Sequence, residues 1–188
     1  MKVRDSGMPE EKLWESFFNP PLIIERLFGG RIEGNAAEFG CGYGTFTLEI
    51  ARMTKGRLYA FDIESEMIQK VKGRVKELPN VEVSQRDLEN EGTGLEDEFV
   101  QAVALFNILH GHDPMRLLKE ACRIIPEGGK IAAIHWNYDP STPRGPEMSI
   151  RPKPEDIQAC MEKAGFVVSP IVDLPPYHYG ITGIKPQK

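Results

Sequence analysis

Residues 35–46 read NAAEFGCGYGTF, a pattern that predicts a buried strand, a glycine-rich turn and the start of a helix. Gly40, Gly42 and Gly44 stand at every second position of the turn. Glycine allows a tight turn and lets a ligand approach the backbone, and a helix N-terminus offers free N–H groups to an anion. The stretch therefore predicts a nucleotide or nucleoside site.

The spacing of these glycines separates two classes of nucleotide-binding protein. A dinucleotide-binding loop has the pattern G-x-G-x-x-G, which would require glycine in place of Thr45. The sequence instead has E-x-G-x-G-x-G from Glu38 to Gly44. This arrangement resembles the first motif of the class I S-adenosylmethionine-dependent methyltransferases, in particular the small-molecule, type 11/25-like members. A single glycine loop is a weak signal, so the resemblance depends on the later motifs.

Composition limits the functions that the chain can have. A chain of 188 residues suffices for one domain with its own core. The net charge of −5 and the lack of basic runs argue against a nucleic-acid partner. No apolar run approaches the roughly 20 residues that span a bilayer, and the start of the chain lacks the apolar segment of a signal peptide. Three widely spaced cysteines are typical of a reducing compartment, so we expect a cytoplasmic protein without a membrane partner.

The second motif follows the next predicted strand. Asp62 ends that strand and comes 22 residues after Gly40. A carboxylate at this spacing can accept hydrogen bonds from both ribose hydroxyls, although a strand-end aspartate can also cap the next helix. The segment DIESEM resembles the family's second motif, with Asp62 and Met67 in the usual positions and Ile63 expected beside the cofactor. Glu64 departs from the family, in which a small hydroxyl residue is common there.

The third and fourth motifs follow two further strands. Residues 81–86 alternate like a strand and precede Asp87 and Leu88. The resemblance implies that Asp87 accepts from the adenine amino group while Leu88 packs on the ring; the alternative is a solvated turn within an acidic run. Residues 99–106 are nearly all apolar, as a strand covered on both faces should be, and they end at Asn107. The segment NILHGHDP that begins there is similar to the N-x-L-H segment of small-molecule members.

The order of these motifs implies the fold. A P-x-G-G turn precedes a fifth strand at 130–135, and residues 166–174 and 177–184 predict two last strands. The resemblance implies an α/β, Rossmann-like doubly wound sheet of about seven strands in the order 3-2-1-4-5-7-6, with the last strand antiparallel and helices on both faces. Residues 31–188 would form this single domain, and two helices within residues 1–30 would either cover the sheet or act as a lid.

The resemblance also implies which residues contact the cofactor, S-adenosyl-L-methionine. Glu38 would face the ammonium group of the cofactor, or it would be a caged carboxylate that holds N–H groups of the loop. The expected cofactor-binding residues are Glu38, Gly40, Cys41, Gly42, Gly44, Asp62, Ile63, Met67, Asp87, Leu88 and Asn107.

Three histidines, His110, His112 and His135, follow adjacent strands over the expected acceptor site. Methyl transfer from an activated sulfonium needs mainly alignment, so a base is required only if the acceptor must lose a proton. His110 and His135 are the candidate catalytic bases, because neutral histidine titrates near pH 6.5; otherwise they line the pocket or cap helices. We expect no metal, since two of these histidines share a short loop with Asp113, which is expected to cap the next helix.

The acceptor is expected to be a small molecule, and the sequence does not distinguish O-, N-, S- or C-methylation. The aromatic residues either form the walls of its pocket or pack in the core; they are Trp14, Phe17, Phe18, Trp136 and Tyr138. Two other functions stay open from the sequence: an NAD-dependent oxidoreductase, and a non-catalytic protein that kept cofactor binding. The oligomeric state is also open.

Overall fold

The computed structural model describes residues 9–111 and 113–187, and its central feature is one mixed sheet of eight strands. The first five strands are parallel, in the order β3-β2-β1-β4-β5, and the last strand lies antiparallel beside β5. The strands are Ala36–Phe39 (β1), Leu58–Asp62 (β2), Val81–Gln85 (β3), Ala102–Phe106 (β4), Lys130–Trp136 (β5), Val167–Val168 (β6), Val172–Leu174 (β7) and His178–Ile184 (β8).

Helices flank this sheet, and their ends follow from the sequence. The helices in the described residues are Glu11–Glu15 (α1), Pro20–Phe28 (α2), Thr47–Met53 (α3), Ser65–Arg74 (α4), Pro114–Ile124 (α5) and Pro154–Lys163 (α6). Proline begins α2, α5 and α6, where its missing N–H costs no helical hydrogen bond. The Asn19 side chain accepts from the Leu22 N–H at the start of α2, and Gly29 ends that helix in the left-handed conformation.

The predicted fold class and strand order are confirmed, with one local difference. The observed order is β3-β2-β1-β4-β5-β8-β6, and β7 also pairs with β8. The single strand expected at 166–174 is therefore two short strands, because Pro170 lies between them and has no N–H to give to a ladder. At the start of α5, Asp113 takes the N-cap position but makes no capping hydrogen bond, and it pairs with Arg116 at 3.4 Å.

Apolar residues cover both faces of the central strands, which explains why β4 is buried at every position. Val103 and Leu105 pack on one face in a cluster with α5. Ala104 and Phe106 point to the other face, in a cluster with α2 and α3. This packing fixes the strand ends, where the polar residues of the site lie. Within residues 9–111 and 113–187, no helix is both long enough and apolar enough to cross a membrane.

A partly buried ionic network ties the loop between β3 and β4 to α5. Glu120 accepts hydrogen bonds from the Thr93 N–H (2.7 Å), the Thr93 hydroxyl (2.6 Å) and the Arg123 guanidinium (2.8 and 2.9 Å). Burial alone would raise the pKa of Glu120, but the hydrogen bonds from Arg123 and Thr93 outweigh it and lower that pKa to about 2. The network thus holds in place the loop that begins with Asp87.

Replacement of Glu120 by glutamine is expected to lower the free energy of unfolding by about 1–3 kcal/mol at pH 7. The folded-state pKa lies below the ordinary 4.5, so the carboxylate stabilises the fold above about pH 4.5, and that stabilisation is lost as the pH falls toward about 2. Urea unfolding at several pH values should therefore show the two proteins converging in acid. Glu162→Gln, on the exposed surface of α6, is the control. If the free energy of unfolding of Glu120→Gln were lower than that of the wild type by the same amount in acid and at neutral pH, the role assigned to the Glu120 carboxylate would be contradicted.

Candidate cofactor and acceptor site

A cleft opens at the carboxyl ends of β1, β2, β3 and β4, where parallel sheets of this kind bind their ligands. It is lined by most of the residues that the sequence singled out. Those predicted residues are Glu38, Gly40, Cys41, Gly42, Asp62, Ile63, Asp87, Leu88, Asn107 and His110.

Three predicted residues do not line the cleft. A Cβ at Gly44 would lie 3.1 Å from Cγ2 of Val71, so the absence of a side chain there lets the turn pack against α4. Met67 is buried on α4 and does not border the cleft. His135 lies behind His110. His112 falls outside the described residues.

The glycine turn is held in one conformation by Asp62. Oδ2 of Asp62 accepts from the Gly42 N–H at 2.8 Å, and Oδ1 accepts from the Glu64 N–H at 2.9 Å. Burial raises the pKa of Asp62, while these two N–H groups oppose the shift. Asp62 therefore fixes the turn and also holds the backbone of Glu64, the N-cap residue of α4.

Gly40 brings the turn against the loop that follows β4. Its φ of +71° is in the left-handed region, and a Cβ built on it would lie 2.6 Å from Cγ2 of Ile108. The Cys41 N–H donates to the Phe61 carbonyl at 2.9 Å, which joins the turn to β2. Only glycine fits the first position of the turn without displacing Ile108.

Glu38 is almost completely buried at the end of β1. Its Oε2 accepts from the Thr47 hydroxyl at 2.6 Å, at the start of α3. Burial raises the pKa of Glu38 to about 8, since the hydrogen bond from Thr47 only partly offsets it and the charge of Asp62 adds to it. An unliganded protein at neutral pH therefore holds a protonated glutamic acid in this cleft.

Asp87 lies in a turn at the end of β3. Its carboxylate accepts from the Asn90 N–H at 3.2 Å and from Nδ2 of Asn90 at 2.8 Å. The hydrogen bond from the Asn90 side chain lowers the pKa of Asp87. Leu88 is buried against the core and also borders the cleft. The turn thus presents a carboxylate next to an apolar surface, the arrangement expected for an adenine ring.

Two buried polar side chains at the cleft carry atoms that have no hydrogen-bond partner among the described residues. Both Nδ2 and Oδ1 of Asn107 are unpaired, as is Nε2 of His110. Buried polar atoms are normally hydrogen-bonded, so the unpaired atoms of these two cleft residues are an exception that a bound ligand would account for. Asn107 also has a φ of +58°, a conformation that costs energy for a residue other than glycine. Both observations fit a binding site for a polar ligand.

Aromatic residues close one end of the cleft, which we call the acceptor side. Trp14 of α1, Trp136 at the end of β5 and Pro146 line it together with His110. Phe17 lies behind them, with its ring centroid 5.3 Å from that of Trp136. Other expected wall residues lie elsewhere: Phe18 packs on Phe46, and Tyr138 is 44% exposed beneath Lys153.

Helix α1 is fixed over the glycine turn by ion pairs with α4. Glu11 pairs with Lys70 at 2.9 Å and with Arg74, and Glu15 pairs with Arg74 at 2.6 Å. The Tyr43 hydroxyl, within the turn, donates to the Pro9 carbonyl at 3.1 Å. Trp14 is thereby held at the opening of the cleft.

The proline-rich segment 137–151 is organised by one buried guanidinium. Arg151 donates to the carbonyls of Asn137 and Asp139, each at 3.0 Å, and to that of Pro146 at 2.8 Å. It also donates to the Thr142 hydroxyl at 2.6 Å. These bonds hold Pro146 at the acceptor side.

Sequence reasoning missed several residues of the cleft. They are Thr45, Phe46, Arg86, Glu89, Phe106, Ile108 and Leu117. Five of these seven residues stand directly beside a predicted residue in the sequence, which was the available signal; they are Thr45, Arg86, Glu89, Phe106 and Ile108. Among residues 9–111 and 113–187, no three His, Cys, Asp or Glu side chains come close enough together to hold a metal ion.

Comparison with known proteins agrees with this geometry. A family model described as a methyltransferase domain matches residues 36–129, half of the chain. The chain is 29% identical over 107 residues to malonyl-[acyl-carrier protein] O-methyltransferase 1 of Ilyobacter polytropus, and 34% identical over 128 residues to an uncharacterized methyltransferase of Schizosaccharomyces pombe. These matches cover 56% and 66% of this chain, but 39% and 49% of the relatives, so the chain spans less than half the length of each.

Solved structures share the fold over nearly the whole chain. A SAM-dependent methyltransferase from Aquifex aeolicus superposes with a TM-score of 0.81 at 23% identity, covering 94% of both chains. The [4+2]-cyclase SpnF superposes with a TM-score of 0.75 at 14% identity, covering 100% of this chain and 88% of that one. The chain therefore belongs to the methyltransferase domain family, and its cofactor is S-adenosyl-L-methionine.

Proposed function

We propose that this protein transfers the methyl group of S-adenosyl-L-methionine to a small-molecule acceptor. The observation that carries the proposal is the cleft itself. It joins a glycine turn fixed by Asp62 to an aromatic acceptor side, and the unpaired polar atoms of Asn107 and His110 lie at the same cleft. A site of this kind has separate places for a nucleoside and for a second molecule.

The proposed contacts with the cofactor follow the order of the strands. Asp62 accepts from the ribose hydroxyls, and Asp87 and Leu88 hold the adenine ring. Glu38 faces the ammonium group, and Asn107 pairs with the amino acid part of the cofactor. In this assignment each charged or polar group of the cofactor meets a buried or strand-end residue that can pair with it by charge or by a hydrogen bond.

The small acceptor is proposed to enter at the acceptor side, under α1. Trp14 and Trp136 form an apolar wall, and the net charge of −5 disfavours a polyanionic substrate. We propose that α1 serves as a lid, because its ion pairs with α4 hold Trp14 across the opening. The malonyl-[acyl-carrier protein] O-methyltransferase relative acts on a carboxylate-bearing acceptor by its name, and this supports a similar small acyl group here.

The chemistry asked of the protein is mainly alignment. S-adenosyl-L-methionine, when bound, supplies a methyl group already activated on a sulfonium sulfur. The residues of the cleft hold the acceptor in line with that group and exclude water, and alignment of this kind is worth roughly 7–11 kcal/mol of a reaction barrier. The alternative of an NAD-dependent oxidoreductase is not supported by the glycine spacing or by the family match.

The test is a binding measurement followed by a turnover measurement. Calorimetric titration should show S-adenosylhomocysteine binding and no NADH binding. Incubation with S-adenosylmethionine and a library of small acceptors should release S-adenosylhomocysteine with at least one acceptor. Binding without turnover by the whole library would favour a non-catalytic cofactor-binding protein, and binding of NADH alone would overturn the proposal.

Binding of S-adenosylhomocysteine is expected to release close to one proton at pH 7. Glu38, with a pKa near 8, is protonated in the free protein, whereas an ammonium group beside it favours the carboxylate. Calorimetry in buffers with different ionisation enthalpies measures the released proton. The Glu38→Gln variant should release none and should bind about tenfold more weakly. Glu49→Gln, on the following helix α3, is the control. Equal proton release by the wild type and Glu38→Gln would contradict this role.

A further inference from the structure

The two candidate bases form a buried pair behind the acceptor side. Nδ1 of His110 lies 3.1 Å from Nε2 of His135, and the two rings meet edge to face. His135 is completely buried on β5, whereas His110 lines the cleft from the loop after β4. Nδ1 of His135 lies 3.0 Å from the backbone nitrogen of Trp136.

These contacts decide where each ring carries its hydrogen. A backbone N–H can only donate, so Nδ1 of His135 must be the acceptor from Trp136. A neutral His135 then has its hydrogen on Nε2 and donates it to Nδ1 of His110. A neutral His110 must therefore carry its own hydrogen on Nε2, the atom that is buried without a partner among the described residues.

Both rings are neutral at physiological pH. Burial lowers the pKa of His110 to about 4. Burial, followed by the proximity of His110 and His178, holds the pKa of His135 well below its usual range. The Arg151 cation acts in the same direction, and burial raises the pKa of the neighbouring Tyr179. The carboxylates that border the same cleft are Glu38, Asp62, Asp87 and Glu89.

We propose that His110 is a hydrogen-bond donor to the acceptor molecule rather than a general base, and that His135 is the positioning residue that fixes its tautomer. The proposal rests on the methyltransferase function proposed above. It assigns to the cleft an N–H group aimed at an oxygen of the substrate. A protein group that donates a hydrogen bond at this place cannot also take a proton from the nucleophile.

Since the histidine pair supplies no base, the acceptor that fits it is a nucleophile that is already deprotonated at neutral pH. A carboxylate is deprotonated at neutral pH and can also accept a hydrogen bond, since one oxygen accepts from Nε2 of His110 while the other attacks. The attacking oxygen bonds to the methyl carbon as the bond from carbon to sulfur breaks, and the electron pair of that bond stays on sulfur. No proton moves, and the product is a neutral methyl ester. An alcohol or phenol would need a base that the histidine pair does not provide.

The tautomer is tested first, on the ligand-free protein, by long-range ¹H–¹⁵N correlation spectra of the histidine rings. We expect His110 to show a protonated Nε2 and an unprotonated Nδ1, unchanged between about pH 5.5 and pH 8. The opposite tautomer, or titration of His110 near pH 6.5, would overturn the donor role. This result does not depend on catalysis, and so it is separate from the outcome for the proposed function.

The acceptor class is tested with benzoate and benzyl alcohol, which share a ring and differ in charge. In protein saturated with S-adenosylhomocysteine, benzoate should shift the His110 Nε2–H resonance, and benzyl alcohol should not. A shift with the alcohol alone, or with neither probe, would overturn the carboxylate assignment. Failure of S-adenosylhomocysteine to bind at all would count instead against the proposed function.

Variants of His110 and His135 distinguish a positioning role of His135 from a purely structural one. His110→Phe should lower kcat/KM on the order of 100-fold with a carboxylate acceptor, as expected for loss of a preorganised donor. His135→Leu should lower kcat about tenfold and leave a mixture of His110 tautomers in the spectrum. His135→Gln, whose amide can still donate to Nδ1 of His110, should recover the single tautomer and most of the rate. If His135→Leu kept the wild-type kcat while His110 showed a mixture of tautomers, the positioning role of His135 would be contradicted.

Discussion

Substitution of Asp62 by alanine is expected to weaken the binding of S-adenosylhomocysteine by at least about 100-fold. In the proposed complex the carboxylate accepts from two ribose hydroxyls, and hydrogen bonds to a charged group are worth about 1.5–3 kcal/mol each. The same carboxylate holds the Gly42 and Glu64 N–H groups, so its removal also frees the glycine turn. The loss of the ribose hydrogen bonds and the loss of a fixed glycine turn both weaken the binding of S-adenosylhomocysteine.

Calorimetric titration of the Asp62→Ala, Asp62→Asn and Asp173→Ala variants is the appropriate measurement. The asparagine variant retains one acceptor oxygen and should lose about tenfold in affinity. Asp173, exposed on β7, provides the matched control and should leave binding unchanged. Thermal unfolding of each variant shows whether the fold is intact. Affinity within about twofold of the wild type for Asp62→Ala would exclude the ribose contact.

Replacement of Gly40 by alanine is expected to reduce cofactor affinity by a similar factor, about 30- to 100-fold. The left-handed backbone costs a residue with a Cβ about 1–2 kcal/mol, and the new methyl group would lie 2.6 Å from Cγ2 of Ile108. Since Gly40 and Ile108 both line the cleft, either the turn or the loop after β4 must move into the space of the ligand.

Two further variants separate the effect of the left-handed backbone at Gly40 from the effect of the collision with Ile108. Gly128→Ala has the same backbone penalty, with a φ of +79° and no atom within 4 Å of the new Cβ, and it lies in the turn before β5. It should leave cofactor affinity unchanged. The Gly40→Ala/Ile108→Ala double variant removes the collision and should recover part of the affinity. Wild-type binding by Gly40→Ala alone would show that the turn tolerates the methyl group.

The parts of this molecule that sequence predicted well depend on short-range patterns. The alternate glycines and the position of Asp62 at a strand end predicted which end of the sheet holds the cleft, because turn and strand are local structures. The strand order came from the resemblance of successive motifs rather than from any one of them. Pro170 could have been used to divide the strand at 166–174, since its effect on a ladder is also local.

The remaining features depend on contacts between distant segments. His110 and His135, which are 25 residues apart in the sequence, become partners only when the ends of β4 and β5 are brought together. The contact of Trp14 with Trp136 likewise requires the folded sheet. The candidate base role of His110 illustrates the difference. Its residue type was compatible with a base, but its burial and the tautomer inferred from the contact of His135 with the Trp136 N–H support the proposed donor role.

The Arg151 network has a consequence for how the acceptor side can change during evolution. Four of the groups that receive hydrogen bonds from Arg151 are main-chain carbonyls, which every amino acid possesses. Side chains at most positions of segment 137–151 can therefore be exchanged while the path of the backbone is preserved. A shape that is independent of side-chain identity allows substrate preference to diverge among descendants through point mutations, without first destabilising the fold that they share.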